Sequence, residues 1–401
     1  MINVIGLGYI GLPTALMLAS HGADVVGTDI NRETVERLKS GKTTFRENGL
    51  DELFAAAVRN GIRFSTEYLK TDTYIISVPT PYDAETKKID PAFVVGAVKQ
   101  VLQIAPMGAT VIIESTVSPG TIDRYIRPLL AEYSFGADEI HLVHAPERIL
   151  PGNMLYELEH NSRTIGADDP ATGERVKAIY SLFCKGTIVL TDITTAEMTK
   201  VIENTYRAVN IAFANELMML CRREGMDVGE IIRICNMHPR VNILAPGPGV
   251  GGHCIPIDPW FLVGDFGDQM PLVRTALQIN DGMPEYVFAR ICEVMKEKGI
   301  TDFSRVGLYG LTYKENVDDV RESPTLRLLA AHPVGFRVYD PMVDRPLAEN
   351  QMFSRKDFCT ACDMIVVMVG HNEIRNDAQW LVGKVVLDTR NVCAGEKIYR
   401  L

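Results

Sequence analysis

The sequence lacks the features that indicate a membrane or a nucleic-acid partner. No apolar run reaches the roughly 18 residues that a membrane-spanning helix needs, and we expect no signal peptide ahead of the first predicted strand. Basic residues are outnumbered, with 41 lysines and arginines against 51 aspartates and glutamates, and they form no basic run. With a net charge of -10, we expect no nucleic-acid surface, and an anionic substrate needs arginines and lysines gathered locally.

Cysteine is also sparse and scattered. Among eight cysteines, only Cys359 and Cys362 have the CxxC spacing. Because this pair has no second CxxC and no nearby histidines, we expect no bound metal. Scattered cysteines without a disulfide framework are typical of a reducing compartment, so we expect a cytoplasmic protein.

Short β-branched segments alternate with stretches of helical length along the chain. Because such strands join in a parallel sheet covered by helices on both faces, the pattern predicts an α/β fold. A helical segment without proline, at 195–235, separates two such series and contains a long helix through 196–217. The length of 401 residues allows two or three domains, and we set their boundaries at 1–194, 195–300 and 301–401. The predicted strands lie at 3–5, 24–29, 73–78, 110–114, 305–310, 335–340, 364–369 and 384–388.

A glycine-rich turn follows the first predicted strand. Gly6, Gly8 and Gly11 form the pattern GxGxxG, and Asp29 ends the next strand. In this βαβ context the glycines supply a tight turn, room for a pyrophosphate and close helix–strand packing, which predicts a dinucleotide site. Asp29 favours NAD over NADP, because its carboxylate accepts hydrogen bonds from a ribose and repels a 2′-phosphate. The nearby Arg32 weakens that repulsion.

A second glycine-rich loop, at 249–258, carries Cys254 with a carboxylate four residues later. Glycines let the backbone come close to a ligand, which favours a nucleophilic thiol over a buried small side chain. Together with a dinucleotide site, the thiol predicts oxidation through a covalent thiohemiacetal to an acid. On the long helix, Lys200 and Asn204 share one face at i, i+4, followed by Arg207. The residues alone do not decide whether Lys200 is a solvated surface lysine or part of a site.

Six motifs, in order along nearly the whole chain, resemble the UDP-glucose/GDP-mannose dehydrogenase family of NAD-dependent nucleotide-sugar 6-dehydrogenases. The resemblance implies two Rossmann-like domains joined by the long helix, with NAD on 1–194 and the UDP-sugar on 301–401. The region 195–300 then carries the cysteine loop and pairs subunits, so a homodimer or higher homo-oligomer is expected. The motifs lie at 6–13, 114–117, 145–148, 197–204, 251–254 and 314–324.

The same resemblance implies roles for individual residues. Cys254 is implied to be the nucleophile, Lys200 the acid/base group that also stabilises the oxyanion, and Asn204 a second donor to it. Asp258 is implied to assist proton transfer and Glu147 to take part in thioester hydrolysis. Besides the glycine turn and Asp29, the implied NAD contacts are Tyr9, Ile10, Thr80, Thr116 and Arg321. The implied substrate contacts are Arg148, Ile149, Lys200, Asn204, Arg207, His238, Arg240, Gly251, Tyr313, Lys314 and Arg390.

Two segments, at 210–217 and 238–254, resemble the branch of that family that oxidises UDP-N-acetyl-mannosamine. They imply a four-electron oxidation of the C6 alcohol to the uronate, with two NAD per sugar. UDP-N-acetyl-glucosamine and UDP-glucose 6-dehydrogenases share nearly all of these residues and stay open as alternatives. A one-step dehydrogenase of the hydroxyacid type has no use for Cys254, and a non-catalytic dinucleotide-sensing protein has no use for the catalytic set as a whole.

Overall fold

The computed structural model describes residues 1–83, 85–136, 138–149, 152–377, 379–393 and 398–401. These residues form two compact units, 1–202 and 203–401, called unit 1 and unit 2 below. The three domains predicted from the sequence are a finer division and stay a prediction. Within the described ranges, no helix is both long and apolar enough to cross a membrane, and no group of three or more His, Cys, Asp or Glu side chains could hold a metal ion.

A single sheet forms the centre of unit 1. Its strands are β1 (Ile2–Ile5), β2 (Val25–Thr28), β3 (Arg63–Ser65), β4 (Thr73–Ile76), β5 (Ala109–Ile113), β6 (Ile140–His144), β7 (Arg163–Ala167) and β8 (Ile188–Thr191). They lie in the order β3-β2-β1-β4-β5-β6-β7-β8. The first six are parallel and follow the doubly wound order, in which ligands bind beyond the carboxyl ends of the strands.

The helices of unit 1 connect these strands. The first helix is buried from Gly11 to Ala19, and Asn31 caps the second by accepting the N–H groups of Glu33 and Thr34. A π-helical turn, Ile122–Ile126, precedes the fifth helix. The helices are α1 (Gly11–Ser20), α2 (Arg32–Lys39), α3 (Leu50–Arg59), α4 (Ala92–Leu102), α5 (Arg127–Glu132), α6 (Met154–His160) and α7 (Pro170–Tyr180).

One strand pair differs from the predicted parallel arrangement. Strand β7 runs antiparallel to β6, with Val143 opposite Ala167 and His144 opposite Gly166. The chain leaves β6 at its carboxyl end and enters β7 beyond that same end, without crossing back to the amino edge of the sheet. A return of this kind pairs strands antiparallel, whereas parallel pairing needs a complete crossover.

A long helix, α8 (Ile193–Arg223), runs across the boundary between the units. The predicted helical segment 195–235 is interrupted after α8, where Gly225 adopts a φ of +70°. The N–H of Met226 then reaches back to the carbonyl of Cys221 at 2.8 Å, which closes the helix in a left-handed cap. A second helix, α9 (Val228–Cys235), starts at once, capped by the side chain of Asp227.

Unit 2 contains a fully parallel six-stranded sheet. Its strands lie in the order β11-β10-β9-β12-β13-β14 and are β9 (Val306–Tyr309), β10 (Arg337–Tyr339), β11 (Gln351–Met352), β12 (Met364–Val367), β13 (Val385–Asp388) and β14 (Ile398–Arg400). Its further helices are α10 (Asp258–Phe266), α11 (Pro271–Lys298), α12 (Pro324–Ala331), α13 (Arg355–Ala361) and α14 (Asn372–Asn376).

The two sheets repeat one topology. Numbered within its own unit, each begins with the order 3-2-1-4-5-6, and every strand predicted from the sequence is present. The prediction of an α/β protein with two Rossmann-like domains and a long helix is therefore confirmed. The sequence reading missed β3, β8, β11 and β14, which are the edge strands of the two sheets, and also β6 and β7, in which histidine or glycine interrupts the apolar residues.

Candidate active site

The glycine turn after β1 has the geometry that a dinucleotide needs. Gly6 has a φ of +88°, and a Cβ there would lie 2.6 Å from the carbonyl oxygen of Ser77. A Cβ at Gly11 would lie 1.9 Å from the carbonyl oxygen of Gly6, so both positions require glycine. Gly8 faces open space instead, with no atom within 4 Å of a Cβ built there. The turn therefore fits NAD, since bare backbone at Gly8 leaves room for a pyrophosphate.

Asp29 ties the glycine turn to the end of β2. Its two carboxylate oxygens accept the N–H groups of Leu7 and Asn31, each at 2.8 Å. A carboxylate oxygen can accept a second hydrogen bond, and Asp29 is half-exposed. The side chain can thus hold the turn and still accept the hydroxyl groups of a ribose.

The other predicted NAD contacts of unit 1 lie at the carboxyl ends of its strands. Tyr9 and Ile10 belong to the turn between β1 and α1, and the ring of Tyr9 packs on Phe45 with 4.4 Å between ring centres. Thr80 follows β4 and is buried, whereas Thr116 follows β5 and is half-buried. These four residues share the edge of the sheet where doubly wound folds bind their ligands.

Glu147, the predicted hydrolytic carboxylate, is buried after β6 against an arginine that the sequence reading missed. Arg163 in β7 forms ion pairs with Glu147 and, at 3.4 Å, with Glu114. Arg163 also lies over the ring of Tyr180, 4.1 Å from its centre. Two carboxylates thus share one buried guanidinium, whose charge offsets part of the cost of burying them. No motif identifies Arg163, because its partners are 16 and 49 residues away along the chain.

Glu114 extends this cluster toward the glycine turn. Its carboxylate accepts the hydroxyl hydrogens of Ser77 at 2.5 Å, Tyr180 at 3.1 Å and Thr14 at 3.3 Å. Burial raises the pKa of Glu114 to about 7, against the opposing effect of the Arg163 charge. The cluster therefore joins α1 and the residue after β4, which packs on the glycine turn, to Glu147.

Two predicted substrate contacts directly follow Glu147. The guanidinium of Arg148 donates to the hydroxyl of Thr164 at 2.6 Å and to that of Ser162 at 3.2 Å. Ile149 is 6% exposed and packs into the hydrophobic core of unit 1. A substrate contact at Ile149 would therefore come from its backbone rather than from its side chain.

Helix α8 carries the predicted acid/base and donor residues. Lys200 is 7% exposed, Asn204 is buried and Arg207 is half-buried. A lysine rarely gives up its hydration without a functional or structural partner, so the burial of Lys200 excludes the interpretation as a solvated surface lysine.

Glu197, one turn before Lys200, is a further buried carboxylate. It accepts the N–H groups of Gly120 at 2.5 Å and Ile122 at 2.9 Å, which ties the start of α8 to the segment after Thr116. Burial raises the pKa of Glu197 to about 7, although these two hydrogen bonds act to lower it.

Asp258 joins the cysteine loop to α8. It is buried at the first position of α10, and its backbone N–H donates to the carbonyl oxygen of Cys254 at 2.8 Å. Its carboxylate accepts a hydrogen bond from the side-chain amide of Asn204 at 2.7 Å. Three of the predicted catalytic residues, Cys254, Asn204 and Asp258, are thus connected within unit 2.

The cysteine loop also packs on the segment that begins at Tyr313. A Cβ at Gly251 would lie 2.5 Å from the Cβ of Tyr313, and the N–H of Gly252 donates to the carbonyl oxygen of Arg321 at 2.9 Å. Burial raises the pKa of Tyr313 to about 12. Gly251, Tyr313 and Arg321, predicted from separate motifs, therefore come together beside the half-buried Cys254. Arg321, predicted to contact NAD, belongs to unit 2 and not to the unit with the glycine turn.

Two asparagines on α8 hold the segment 242–247, which leads into the cysteine loop. Asn210 accepts the N–H of Leu244 at 2.9 Å and donates to the carbonyl oxygen of Asn242 at 2.7 Å. Asn215 accepts the N–H of Gly247 at 2.9 Å. Asparagine is disfavoured inside helices, so the presence of Asn210 and Asn215 in α8, besides Asn204, was the available signal for this role.

The remaining predicted substrate contacts differ in placement. A Cβ at Gly247 would lie 2.3 Å from Nη1 of Arg390, so this arginine lies against the segment that leads into the cysteine loop. Lys314 is exposed next to Tyr313. His238 and Arg240 lie on an exposed turn after α9, where the Arg240 N–H donates to the His238 ring at 3.3 Å.

Family models match this chain in three consecutive parts. The NAD binding domain of the UDP-glucose/GDP-mannose dehydrogenase family matches residues 1–184. The central domain of the same family matches residues 194–282, and its UDP binding domain matches residues 307–395.

Individual proteins match over nearly the full length. A UDP-N-acetyl-D-mannosamine dehydrogenase of Methanococcus vannielii is 41% identical, over 98% of this chain and 92% of the relative. An NDP-N-acetyl-D-galactosaminuronic acid dehydrogenase of Ralstonia nicotianae is 38% identical, over 99% of this chain and 97% of the relative. The solved structure of a UDP-D-ManNAc dehydrogenase from Pyrococcus horikoshii has a TM-score of 0.93 at 34% identity, covering 100% of this chain and 99% of that one.

Proposed function

This chain belongs to the UDP-glucose/GDP-mannose dehydrogenase family, and we propose that it oxidises UDP-N-acetyl-D-mannosamine to UDP-N-acetyl-D-mannosaminuronate. Family membership makes it an NAD-dependent UDP-sugar dehydrogenase, as the sequence predicted. The whole-length similarity to a UDP-N-acetyl-D-mannosamine dehydrogenase carries the choice of sugar.

The proposed reaction removes four electrons from C6 of the sugar. Each NAD, when bound, accepts one hydride, so two are used per sugar. The sulfur of Cys254 adds to the carbon of the aldehyde that the first oxidation leaves, giving a thiohemiacetal. Loss of two further electrons gives a thioester on Cys254. Water then adds to the carbonyl carbon, the carbon–sulfur bond breaks, and the sugar carboxylate leaves while the thiol regains its proton.

Lys200 and Asn204 are proposed to stabilise the oxyanion of the tetrahedral species. Removing a single oxyanion donor typically lowers kcat by about 10²–10³-fold. The burial of Lys200 supports this role, because a charge shielded from water interacts more strongly with a developing oxyanion. Asn204 already donates one amide hydrogen to Asp258, so its second amide hydrogen is the one proposed for the oxyanion.

Glu147 and Asp258 are proposed to position the hydrolytic water. Both carboxylates are buried and each has a fixed partner, Arg163 for Glu147 and Asn204 for Asp258. A carboxylate held in this way presents its remaining lone pairs in a defined direction, which is what a water-orienting group requires.

The C2 substituent is the feature on which the choice of sugar depends. An axial acetamido group needs space and a hydrogen-bond partner, and a site built for it is left with unpaired polar groups when UDP-glucose binds. Such losses amount to about 2–4 kcal/mol, or roughly 30- to 1,000-fold in kcat/KM. The similarity to an NDP-N-acetyl-D-galactosaminuronic acid dehydrogenase makes an N-acetyl-galactosamine nucleotide the second candidate.

The test is NADH formation at 340 nm by the purified full-length protein. The panel consists of UDP-N-acetyl-mannosamine, UDP-N-acetyl-glucosamine, UDP-N-acetyl-galactosamine and UDP-glucose. We expect two NADH per UDP-N-acetyl-mannosamine and at least a tenfold lower kcat/KM for the others. An equal or higher kcat/KM for another sugar would overturn the substrate while leaving the family standing. The absence of NADH with every sugar would favour the dinucleotide-sensing alternative.

We further propose that two copies of the chain pair through α8. Tyr206, Phe213 and Leu220 recur at seven-residue spacing on this helix and are 62%, 53% and 42% exposed. Residues seven apart lie on one helix face, and a stripe of large apolar side chains facing water favours association. Light scattering after gel filtration should give twice the chain mass, and Phe213→Asp should return the protein to one copy.

A further inference from the structure

Two carboxylates hold equivalent places in the two units. Asp29 follows β2, and Asp340 follows β10, which has the same position in the strand order of unit 2. Each accepts the N–H of the residue after the first glycine of its unit's turn, Leu7 at 2.8 Å and Leu311 at 2.5 Å. Each carboxylate also accepts the N–H of the residue two positions after it. Asp29 accepts that of Asn31 at 2.8 Å, and Asp340 accepts that of Met342 at 2.7 Å.

The two carboxylates differ in what else surrounds them. Asp29 is half-exposed, whereas Asp340 is 3% exposed. Asp340 also accepts the N–H of Thr312 at 3.0 Å and lies 3.3 Å from Nε2 of His371. Burial acts to raise the pKa of Asp340, but these hydrogen bonds outweigh it and lower the pKa. Asp29 therefore stays accessible to a ligand. The equivalent position beside Asp340 is occupied by Thr312 and His371.

The His371 ring has a defined tautomer. The backbone N–H of Asn316 donates to Nδ1 at 3.0 Å, so Nδ1 carries no hydrogen and the ring hydrogen belongs to Nε2. Nε2 then faces the carboxylate of Asp340 and the hydroxyl of Thr312, which is 3.4 Å away. The ring therefore connects Asp340 to Asn316.

These bonds fix both ends of the segment 312–316. At one end Thr312 is bound to Asp340 through its N–H and donates its hydroxyl to the carbonyl oxygen of Lys314 at 2.9 Å. At the other end Asn316 has a φ of +60°, an uncommon backbone state for a residue other than glycine, and His371 accepts its N–H. The side chains proposed to contact the UDP-sugar, Tyr313 and Lys314, lie between these two ends.

We propose that His371 is a positioning residue for the UDP-sugar, which fixes the segment 312–316 by accepting the N–H of Asn316 while donating to Asp340. The proposal rests on the proposed function, since it assumes that Tyr313 and Lys314 contact the substrate. In the proposed arrangement His371 touches neither the sugar nor the thiol of Cys254, so its loss should weaken binding and not the chemical steps.

Two substitutions separate the two ring nitrogens. His371→Asn keeps an acceptor near the position of Nδ1, and His371→Gln keeps a donor near that of Nε2 but loses the acceptor for Asn316. His332→Gln is the matched control, because His332 also pairs with a carboxylate in unit 2, Glu285 at 2.7 Å, outside this cluster.

The measurement is calorimetric binding of UDP to the full-length protein, together with KM for the UDP-sugar and for NAD. We expect His371→Gln to raise the Kd for UDP and the KM for the sugar about tenfold, with KM for NAD within twofold of the parent. His371→Asn should recover at least half of this loss on a logarithmic scale, and His332→Gln should leave all three values unchanged.

A lowered thermal midpoint in both His371 variants with an unchanged Kd for UDP would reduce His371 to a structural residue and overturn the proposal. Should His371→Gln fail to fold, His371→Ala decides, since it removes both the acceptor for Asn316 and the donor to Asp340 without adding a bulkier side chain. An unchanged Kd for UDP in folded His371→Ala would equally contradict the proposal. UDP binding needs no turnover, so this result is independent of whether UDP-N-acetyl-mannosamine is the sugar oxidised.

Discussion

The side-chain amide of Asn204 donates a 2.7 Å hydrogen bond to the carboxylate of Asp258, and both side chains are buried. The two residues are 54 positions apart and belong to α8 and to the first turn of α10. Because only the amide nitrogen can donate, the bond places the nitrogen of the Asn204 amide, and not its oxygen, next to Asp258. A group proposed to move protons and a group proposed to bind the oxyanion are therefore oriented by each other.

Asp258→Asn tests the role of the charge with little change in shape. The new amide oxygen can still accept from Asn204, so we expect a thermal midpoint within about 3 °C of the parent. Loss of the proton acceptor should lower kcat about 10²-fold or more. Asn204→Asp is the contrasting variant, since two buried carboxylates at this distance repel, and it should lower the thermal midpoint as well as kcat. A kcat for Asp258→Asn near that of the parent would remove Asp258 from the chemistry.

Cys254→Ser should abolish net formation of the acid while leaving NAD binding intact. A serine hydroxyl is a poorer nucleophile at neutral pH than a thiol, and the ester it forms resists hydrolysis more than a thioester. The measurements are uronate formation and NAD titration on the same preparation. Cys292→Ser is the control, because Cys292 lies within α11 and has no proposed role. Acid output of Cys254→Ser within tenfold of the parent would refute the covalent mechanism.

Asp29→Ala should weaken NAD more than NADP. The variant removes the acceptor for a ribose hydroxyl together with a charge that repels a 2′-phosphate. Because Asp29 also accepts the N–H of Leu7, part of the loss should come from the glycine turn and apply to both cofactors. Asp29→Asn keeps an acceptor for that N–H and should isolate the ribose effect. The check is the ratio of Kd values for NAD and NADP, and an unchanged ratio in both variants would show that Asp29 does not face the ribose.

Glu197 should make the stability of the protein depend on pH. Burial raises the pKa of its carboxyl from 4.5 to about 7 in the folded state, so between these values the folded state binds more protons than the unfolded state. The free energy of unfolding should therefore fall as the pH rises through this window, by about 2 kcal/mol. Denaturant unfolding at pH 5 and pH 8 measures the fall.

Glu197→Gln provides the comparison for that measurement, because it stays neutral at both pH values. The fall between pH 5 and pH 8 should be smaller in this variant than in the parent. Glu174→Gln, at an exposed position on α7, should behave like the parent. An equal fall in the parent and in Glu197→Gln would mean that Glu197 is ionised throughout this range.

Local patterns in the sequence determined the architecture and indicated the residues of the proposed site. The GxGxxG turn at Gly6, the buried β-branched strands and the glycine-rich loop at Cys254 each depend on residues close together in the chain. Backbone conformation and strand burial are set over such short distances, so all eight predicted strands and the long helix were found.

The partners of the candidate site residues were decided only by the tertiary structure. Arg163 reaches Glu147 from a strand that is antiparallel to β6, and His371 reaches Asn316 from 55 residues away. Ion pairs and hydrogen bonds of this kind depend on which strands lie side by side, and strand order leaves no periodic signal in the sequence. The burial of Lys200 was settled in the same way, because helical spacing alone allows either a solvated or an enclosed lysine.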